Sequence, residues 1–317
     1  MKALYRKYRP CKLAEVVGQE QVTKVLENSL KQGKISHAYL FIGPRGTGKT
    51  SVARIFAHEV NGFKYELEDD YVDIVEIDGA SNRGIDNIRE LREKAAIAPT
   101  SGKYKIYIID EVHMLTKEAF NALLKTLEEP PAHVIFIMAT TDAYKVPVTI
   151  TSRAQTYTFK LADSNTMLDH LKSIAEKEGI KIDDDALKII VKRGGGSFRD
   201  SLSLLDQIST LSDKGITKDL VISAMGLPED EKIAELLTEY ISGNRISVLF
   251  CFIHSSADFI DNNAVIQTVN NLRLRNHLWN FCRGCFNRNS ILTTQSVAYC
   301  IVRCIIRHPL ITASHCK

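Results

Sequence analysis

A glycine-rich stretch early in the chain carries the strongest chemical signal in the sequence. Residues 43–50 match the pattern G-x-x-x-x-G-K-[ST] at every position, between a predicted strand and a predicted helix. The glycines let backbone N–H groups point at phosphate oxygens. Lys49 adds a positive charge for the β- and γ-phosphates, and Thr50 adds a hydroxyl ligand for Mg²⁺. The alternative is a strand–helix turn without a ligand. The predicted phosphate site comprises Gly43, Pro44, Arg45, Gly46, Thr47, Gly48, Lys49 and Thr50.

Two neighbouring carboxylates form the second signal. Asp110 and Glu111 end the apolar run 105–110. Ligands of open α/β sheets lie at the carboxyl ends of the strands, so this pair is expected to face the phosphate loop. Asp110 suits the shell of Mg²⁺, and Glu111 suits polarisation of an attacking water. Without the upstream phosphate loop, the same pair would indicate only a surface turn.

Three further polar residues are ambiguous when taken alone. Thr141 follows a predicted strand and could orient a water or contact the γ-phosphate, but threonine at a strand end commonly caps a turn. Arg153 precedes the last predicted strand, and Arg199 begins a predicted helix after three glycines. For Arg153 the alternative is a solvated charge or an ion pair unrelated to phosphate, and for Arg199 it is a surface arginine. In that case Asp200 or Asp206 would pair with Arg199.

Five apolar runs must position these groups. They predict strands at 38–42, 73–78, 105–110, 134–139 and 155–159, with helices at 52–60, 85–98 and 117–128 between them. Strands that alternate with helices indicate βαβ units and a buried parallel sheet.

The strand signal stops at residue 165. Helical patterns follow at 165–178, 184–192, 198–211, 218–225 and 229–241, with glycines between several of them. The sequence therefore predicts an α/β domain at 1–160 and a small all-helical domain at 161–228. A segment at 229–317 starts with one helix.

The overall composition is that of a globular protein. The chain has 317 residues, of which 44% are hydrophobic and 25% charged, with a net charge of +3 and a mean hydropathy of −0.10. Disorder would require far fewer apolar residues, and a membrane span a long uncharged apolar run. The first residues lack the apolar core of a secretory signal, so we expect a cytoplasmic protein without membrane association.

Composition changes sharply near residue 246. Residues 246–317 contain seven basic and two acidic side chains, no glutamate, and six of the seven cysteines. We expect a shifted reading frame or a foreign segment here. A four-thiolate zinc site at Cys282, Cys285, Cys300 and Cys304 is the less favoured alternative, because its spacing departs from the usual pattern.

The motifs together resemble those of the AAA+ ATPases. More narrowly, the chain is similar to the gamma/tau family of subunits in the clamp loader of bacterial DNA polymerase III. The resemblance extends from residue 1 to about 242. Its blocks lie at 8–10, 16–20, 37–41, 43–50, 76–81, 109–115, 120–131, 139–142, 147–150, 152–153 and 196–207.

This resemblance implies roles for the ambiguous residues. Thr141 would be the first sensor of the γ-phosphate, and Arg199 the second, reaching it from the helical lid. Arg153 would be the arginine finger that acts on ATP held by a neighbouring subunit. The adenine pocket would be shaped by Arg9, Pro10, Val16 and Val17.

The resemblance also implies an activity, cofactors and partners. The chain would hydrolyse ATP with Mg²⁺ and load the sliding clamp onto primed DNA. Its partners would be the delta and delta-prime subunits and further gamma/tau copies, within a polymerase complex to which it adds no polymerising activity. A non-hydrolysing scaffold subunit is the alternative, disfavoured by the intact phosphate loop. A helicase is a weaker one, because no helicase-type second domain is predicted.

Three features depart from the family pattern. The family's four-cysteine zinc module is absent, because residues 61–71 contain neither cysteine nor histidine, and we therefore predict no zinc site in this domain. Ala154 replaces the cysteine that usually follows the arginine finger. Residues beyond about 245 do not resemble the family's helical collar, so we expect incomplete assembly. The fold expected is thus a P-loop AAA+ sheet domain, a helical lid and a partial or aberrant helical C-terminal segment.

Overall fold

Short β-branched and aromatic runs form a single parallel sheet. The computed structural model describes residues 3–66, 71–211, 215–226 and 238. The sheet order is β2-β3-β4-β1-β5, so the first strand lies inside the sheet. The strands are β1 (Ala38–Ile42), β2 (Ile74–Asp78), β3 (Lys105–Asp110), β4 (Val134–Thr140) and β5 (Gln155–Thr158).

The register of the sheet brings the polar strand ends together. Ile42 of β1 lies beside Thr140 of β4 and Thr158 of β5, and Asp78 lies beside Asp110. Every pairing is parallel, so all strands end at the same edge. The loops that follow β1, β3 and β4 therefore meet there.

Helices cover both faces of the sheet. One apolar cluster contains residues of α4 and α5, and the other contains residues of α2 and α3. β4 is buried along its whole length, as expected for a strand covered on both sides. The helices of this part are α1 (Leu4–Lys7), α2 (Glu20–Gln32), α3 (Lys49–Asn61), α4 (Ile85–Ala95), α5 (Lys117–Glu128) and α6 (Val148–Thr151).

Four more helices follow the sheet. They are α7 (Ser164–Glu178), α8 (Asp184–Gly194), α9 (Phe198–Ser209) and α10 (Lys218–Ala224). The Asp163 side chain accepts hydrogen bonds from the first turn of α7, and Ser197 does the same for α9. Gly179 and Gly195 end α7 and α8 in left-handed conformations, which glycine adopts without steric cost.

The predicted fold class is confirmed, and several element boundaries differ from the predicted ones by one to three residues. α3 begins at Lys49 rather than at residue 52, because the phosphate loop leads directly into it. α4 ends at Ala95 rather than at 98: Pro99 disfavours the helical conformation at residue 98. α9 ends at Ser209 rather than at 211. Helices α1, α2 and α6 had no predicted bounds.

Apart from Thr238, which is helical, three predictions fall on residues outside the described ranges. These are the helix at 229–241, the origin of the segment from about 246 and the zinc alternative in it. The described part of the compact unit Met1–Val221 contains every element that borders the site. Of the helices in the described ranges, none combines the length and apolar character needed to cross a membrane.

Candidate nucleotide-binding site

The phosphate loop lies between the end of β1 and the start of α3. Its first glycine is tied to the neighbouring strand, because Gly43 N donates to the carbonyl oxygen of Thr140 at 3.2 Å. A Cβ atom on Gly43 would lie 2.4 Å from the carbonyl oxygen of Phe159, so only glycine fits between these backbones. Thr47 closes the loop by donating its hydroxyl to the Pro44 carbonyl oxygen at 2.9 Å.

Lys49 is buried inside this loop. Its Nζ donates to the carbonyl oxygens of Gly43 at 2.7 Å and Pro44 at 2.8 Å. Burial lowers the pKa of Lys49, while the carboxylates of Glu111 and Asp110 oppose that shift. The ammonium group is thus held within the loop and still has one of its three donors for a phosphate oxygen.

Thr50 and Asp110 meet across 60 positions of the chain. The Thr50 hydroxyl donates to Asp110 Oδ2 at 2.7 Å, and Asp110 Oδ1 accepts from the backbone N–H of Glu111 at 2.9 Å. A hydroxyl and a carboxylate are hard oxygen donors, which is the ligand type Mg²⁺ takes beside nucleotide phosphates. The two side chains therefore fit the predicted metal role.

Glu111 occupies a special backbone position. It is the one non-glycine residue with positive φ in the described ranges, at φ 46° and ψ 45°. The Thr141 hydroxyl donates to Glu111 Oε2 at 3.0 Å, and His113 Nδ1 lies 3.4 Å from the same oxygen. The structure thus brings the proposed base and the proposed first sensor into direct contact.

The start of α9 contacts the phosphate loop. Phe198 N donates to the Gly46 carbonyl oxygen at 3.0 Å, and a Cβ on Gly46 would lie 2.0 Å from Ser197 Oγ. Arg199 follows directly, with its guanidinium carbon 5.3 Å from the centre of the Tyr5 ring. Within the described residues Arg199 forms no ion pair with Asp200 or Asp206, but it is exposed, and its role as a sensor stays a prediction.

Arg153 does not contact the phosphate loop of its own chain. Its Nη2 donates to Glu128 Oε1 at 2.8 Å, and its Nη1 donates to the carbonyl oxygen of Thr149 at 2.8 Å. The Arg153 side chain is 36% exposed. It thus forms a surface ion pair between the end of α5 and the segment that follows α6.

The residues expected to shape the adenine pocket are only partly buried. Burial lowers the pKa of Arg9, and the nearby Arg54 guanidinium lowers it further. Val16 packs against the apolar cluster beneath α2 and α3, whereas Pro10 and Val17 stay partly exposed. Their role toward adenine stays a prediction.

Sequence reasoning gave no role to three residues at the site. His113 contacts Glu111, Tyr5 stacks under Arg199, and Glu128 pairs with Arg153. Only His113 left a signal in the sequence, namely its position two residues after the proposed base. The other two contacts join segments 194 and 25 positions apart, which no local pattern records.

Solved structures share this architecture. The Thermotoga maritima RuvB Holliday junction branch migration motor superposes with a TM-score of 0.55 over 75% of this chain and 80% of that chain, at 23% identity. A likeness at that identity shows the fold alone. The parallel sheet, the phosphate loop after β1 and the helices that contact this loop define an AAA+ ATPase fold.

Two family models cover most of the described chain. One, for the delta subunit of DNA polymerase III, matches residues 18–163. The other, for the ATPase lid domain of the DNA polymerase III clamp-loader subunit, matches residues 166–213. The chain belongs to the clamp-loader ATPase family of bacterial DNA polymerase III.

Curated relatives are tau or gamma/tau subunits of this polymerase. The Bacillus subtilis tau subunit is 49% identical over 224 residues, which are 66% of this chain and 40% of that protein. The Mycobacterium tuberculosis (strain H37Rv) gamma/tau subunit is 42% identical over 81% of this chain and 47% of its own length. The Escherichia coli tau subunit is 40% identical over 83% of this chain and 43% of its own length. The chain thus spans less than half the length of these relatives.

Proposed function

We propose that this chain is an ATP-hydrolysing motor subunit of a bacterial clamp loader. Together with delta, delta-prime and further gamma/tau copies, it would load the sliding clamp onto primed DNA in the cytoplasm. Residues 1–160 would bind ATP, and residues 161–228 would act as the lid. The observation that carries this proposal is the complete constellation around the phosphate loop, in which Thr50 contacts Asp110 and Thr141 contacts Glu111.

Each residue at this edge of the sheet has a defined task in hydrolysis. Lys49 and the loop N–H groups bind the β- and γ-phosphates. Thr50 and Asp110 would hold Mg²⁺, which supplies positive charge beside those phosphates. Glu111 would accept the proton of the attacking water, while Thr141 orients the Glu111 carboxylate.

Arg153 would act on the nucleotide of a neighbouring subunit. In the described structure, the contacts that its side chain makes are with Glu128, Thr149 and Ser152 and none is with its own phosphate loop, which leaves this arginine for a site outside its own chain; its ion pair with Glu128 would have to open for that role. Two large apolar side chains in the same segment are strongly exposed, Tyr144 at 102% and Val148 at 80%. Aromatic side chains and arginine are enriched at protein interfaces, so exposed apolar groups within ten residues of Arg153 in the sequence support the proposed assembly with other subunits.

The first experiment measures ATP binding and turnover separately. Lys49→Ala is expected to abolish nucleotide binding, because the phosphates lose their buried cation. Glu111→Gln is expected to retain binding and lose about 10²–10⁴-fold in turnover, because the general base is removed. Lys188→Ala and Glu90→Gln change exposed ion-paired residues and serve as matched controls. Parental turnover by Glu111→Gln would contradict the assigned role, and absent turnover in the parent would favour the scaffold alternative.

The second experiment tests action between subunits. Arg153→Ala is expected to lower turnover of the assembled complex about 10³–10⁵-fold, as for other arginine fingers. Mixing Arg153→Ala chains with Lys49→Ala chains should restore part of the activity, because each mixed interface can combine an intact loop with an intact arginine. Parental activity in an assembled Arg153→Ala complex would refute the role of Arg153. Clamp loading onto primed DNA, measured with the same variants, tests the full function.

A further inference from the structure

His113 lies behind the proposed base and has no assigned role. It belongs to the short 3₁₀ turn Val112–Met114 that follows β3, and its side chain is only 9% exposed. Its Nδ1 lies 3.1 Å from Thr140 Oγ1 and 3.4 Å from Glu111 Oε2. One ring nitrogen thus contacts both the end of β4 and the carboxylate that would activate water.

The surroundings of Thr140 determine which atom carries the proton. Thr140 is fully buried, and its hydroxyl lies 3.1 Å from the Asp142 carbonyl oxygen while accepting from Asp142 N at 3.0 Å. If the Thr140 hydroxyl donates its proton to the Asp142 carbonyl oxygen, Thr140 Oγ1 can still accept a hydrogen bond from His113 Nδ1. The Thr140 hydroxyl and His113 Nδ1 then both have partners, as buried polar groups require.

The Glu111 carboxylate favours the same tautomer. A protonated Nδ1 places a positively polarised N–H beside Oε2, whereas an unprotonated Nδ1 would place a lone pair against a negative charge. Oε2 is also the oxygen that accepts from Thr141. In the described part of the chain, Oε1 accepts no hydrogen bond, so it is the oxygen left to face a water.

We propose that His113 is a positioning residue for Glu111. The Nδ1–H donates to Thr140 Oγ1, which fixes the imidazole ring. The positive end of that N–H then lies near Oε2 and attracts it electrostatically, while the Thr141 hydroxyl donates to the same oxygen, so that Oε1 points to the attacking water. This inference rests on the proposed ATPase function. It adds a link between the ends of β3 and β4 that acts through the orientation of the base and makes no contact with the nucleotide.

The test compares two substitutions that differ in one donor. His113→Leu removes the ring nitrogen, whereas His113→Asn keeps an N–H donor near the position of Nδ1. For His113→Leu we expect kcat to fall about 10–100-fold, the usual effect of losing an outer positioning contact, with an unchanged Kd for a fluorescent ATP analogue. His113→Asn should recover most of the lost kcat. Thr140→Val, which keeps the shape but frees the ring, should lower kcat in the same direction.

Several outcomes would overturn the proposal. They are parental kcat in His113→Leu, an equal loss in His113→Asn, or weaker nucleotide binding that accounts for the whole effect. If His113→Leu does not fold, as judged by thermal melting, His113→Asn and Thr140→Val decide the question. Absent turnover in the parent, measured beside Glu111→Gln, would instead refute the ATPase function and this role with it.

A measurement independent of activity addresses the tautomer. Long-range ¹H–¹⁵N correlation spectra distinguish imidazoles protonated at Nδ1 from those protonated at Nε2, and His113→Asn identifies the signal among the nine histidines. We expect neutral His113 to carry its proton on Nδ1. A proton on Nε2 would refute the proposed contact even if kcat falls in His113→Leu.

Discussion

Asp73 is expected to be a strong and pH-dependent contributor to stability. It lies just before β2 and is 1% exposed. Its Oδ1 accepts from Thr100 N at 2.7 Å, and its Oδ2 accepts from Ser101 N at 2.5 Å and Gly102 N at 2.7 Å. This one carboxylate therefore anchors the loop that leads into β3, the strand that ends in Asp110.

The cost of Asp73→Asn follows from these contacts. The amide has one acceptor oxygen, so at least one backbone N–H loses its acceptor and faces an NH₂ group instead. The hydrogen bonds that the amide oxygen keeps are weaker, because their acceptor no longer carries a negative charge. A hydrogen bond to a charged group contributes about 1.5–3 kcal/mol, and Thr100 and Ser101 are exposed enough for water to replace part of it. We therefore expect a loss of about 2–3 kcal/mol in the free energy of unfolding, or about 4–12 °C in Tm.

The pH dependence gives the sharper signature. Burial alone would raise the pKa of Asp73, but the three backbone donors outweigh burial, and the pKa lies below its usual value. A depressed folded-state pKa stabilises the protein above the unfolded pKa of about 3.9, and this contribution disappears as pH falls through the folded value. The difference between parent and Asp73→Asn should therefore be constant from about pH 8 to 5 and shrink below about pH 4.

Thermal and urea unfolding across this pH range test the prediction. Asp185→Asn is the matched control, because Asp185 is 68% exposed and pairs with Lys188 on the surface. It should change the free energy of unfolding by less than about 1 kcal/mol. Equal stability of parent and Asp73→Asn at pH 7 would refute the reasoning. If the difference in free energy of unfolding between the parent and Asp73→Asn stays unchanged at pH 3, the carboxylate charge contributes nothing to stability.

Two further substitutions have matched controls in the same chain. Tyr107→Phe removes a buried hydroxyl without a hydrogen-bond partner in the described structure, so the free energy of unfolding should stay constant or rise by up to about 1 kcal/mol. Tyr39→Phe removes an equally buried hydroxyl that accepts a hydrogen bond from the backbone N–H of Ser36, and it should lower the free energy of unfolding by about 1 kcal/mol. Equal urea midpoints for Tyr107→Phe and Tyr39→Phe would contradict this expectation. Gly46→Ala forces a Cβ to within 2.0 Å of Ser197 Oγ and should weaken binding of a fluorescent ATP analogue. Gly33→Ala is the control, because Gly33 has a similar positive φ but no neighbour within 4 Å, and it should leave binding unchanged. Equal binding by both glycine variants would show that contact between α9 and the loop does not matter for the nucleotide.

The sequence by itself determined the elements and the chemical type of the site. The bounds of β1, β3 and α5 are those predicted, because apolar runs and helical periodicity are local properties. The phosphate loop was equally predictable, since its glycines, Lys49 and Thr50 are consecutive in the chain. The same holds for Asp110 and Glu111, which end a buried strand.

The tertiary structure alone decided which of these groups meet. The placement of β1 between β4 and β5 sets Ile42 beside Thr140, and Thr50 reaches Asp110 across 60 positions of the chain. The contacts of Arg199 with Tyr5 and of Arg153 with Glu128 depend on the packing of helices against one another. Such contacts follow from strand order and helix docking, which are properties of the whole fold. A local pattern of residue types therefore identifies the groups, while the fold selects their partners.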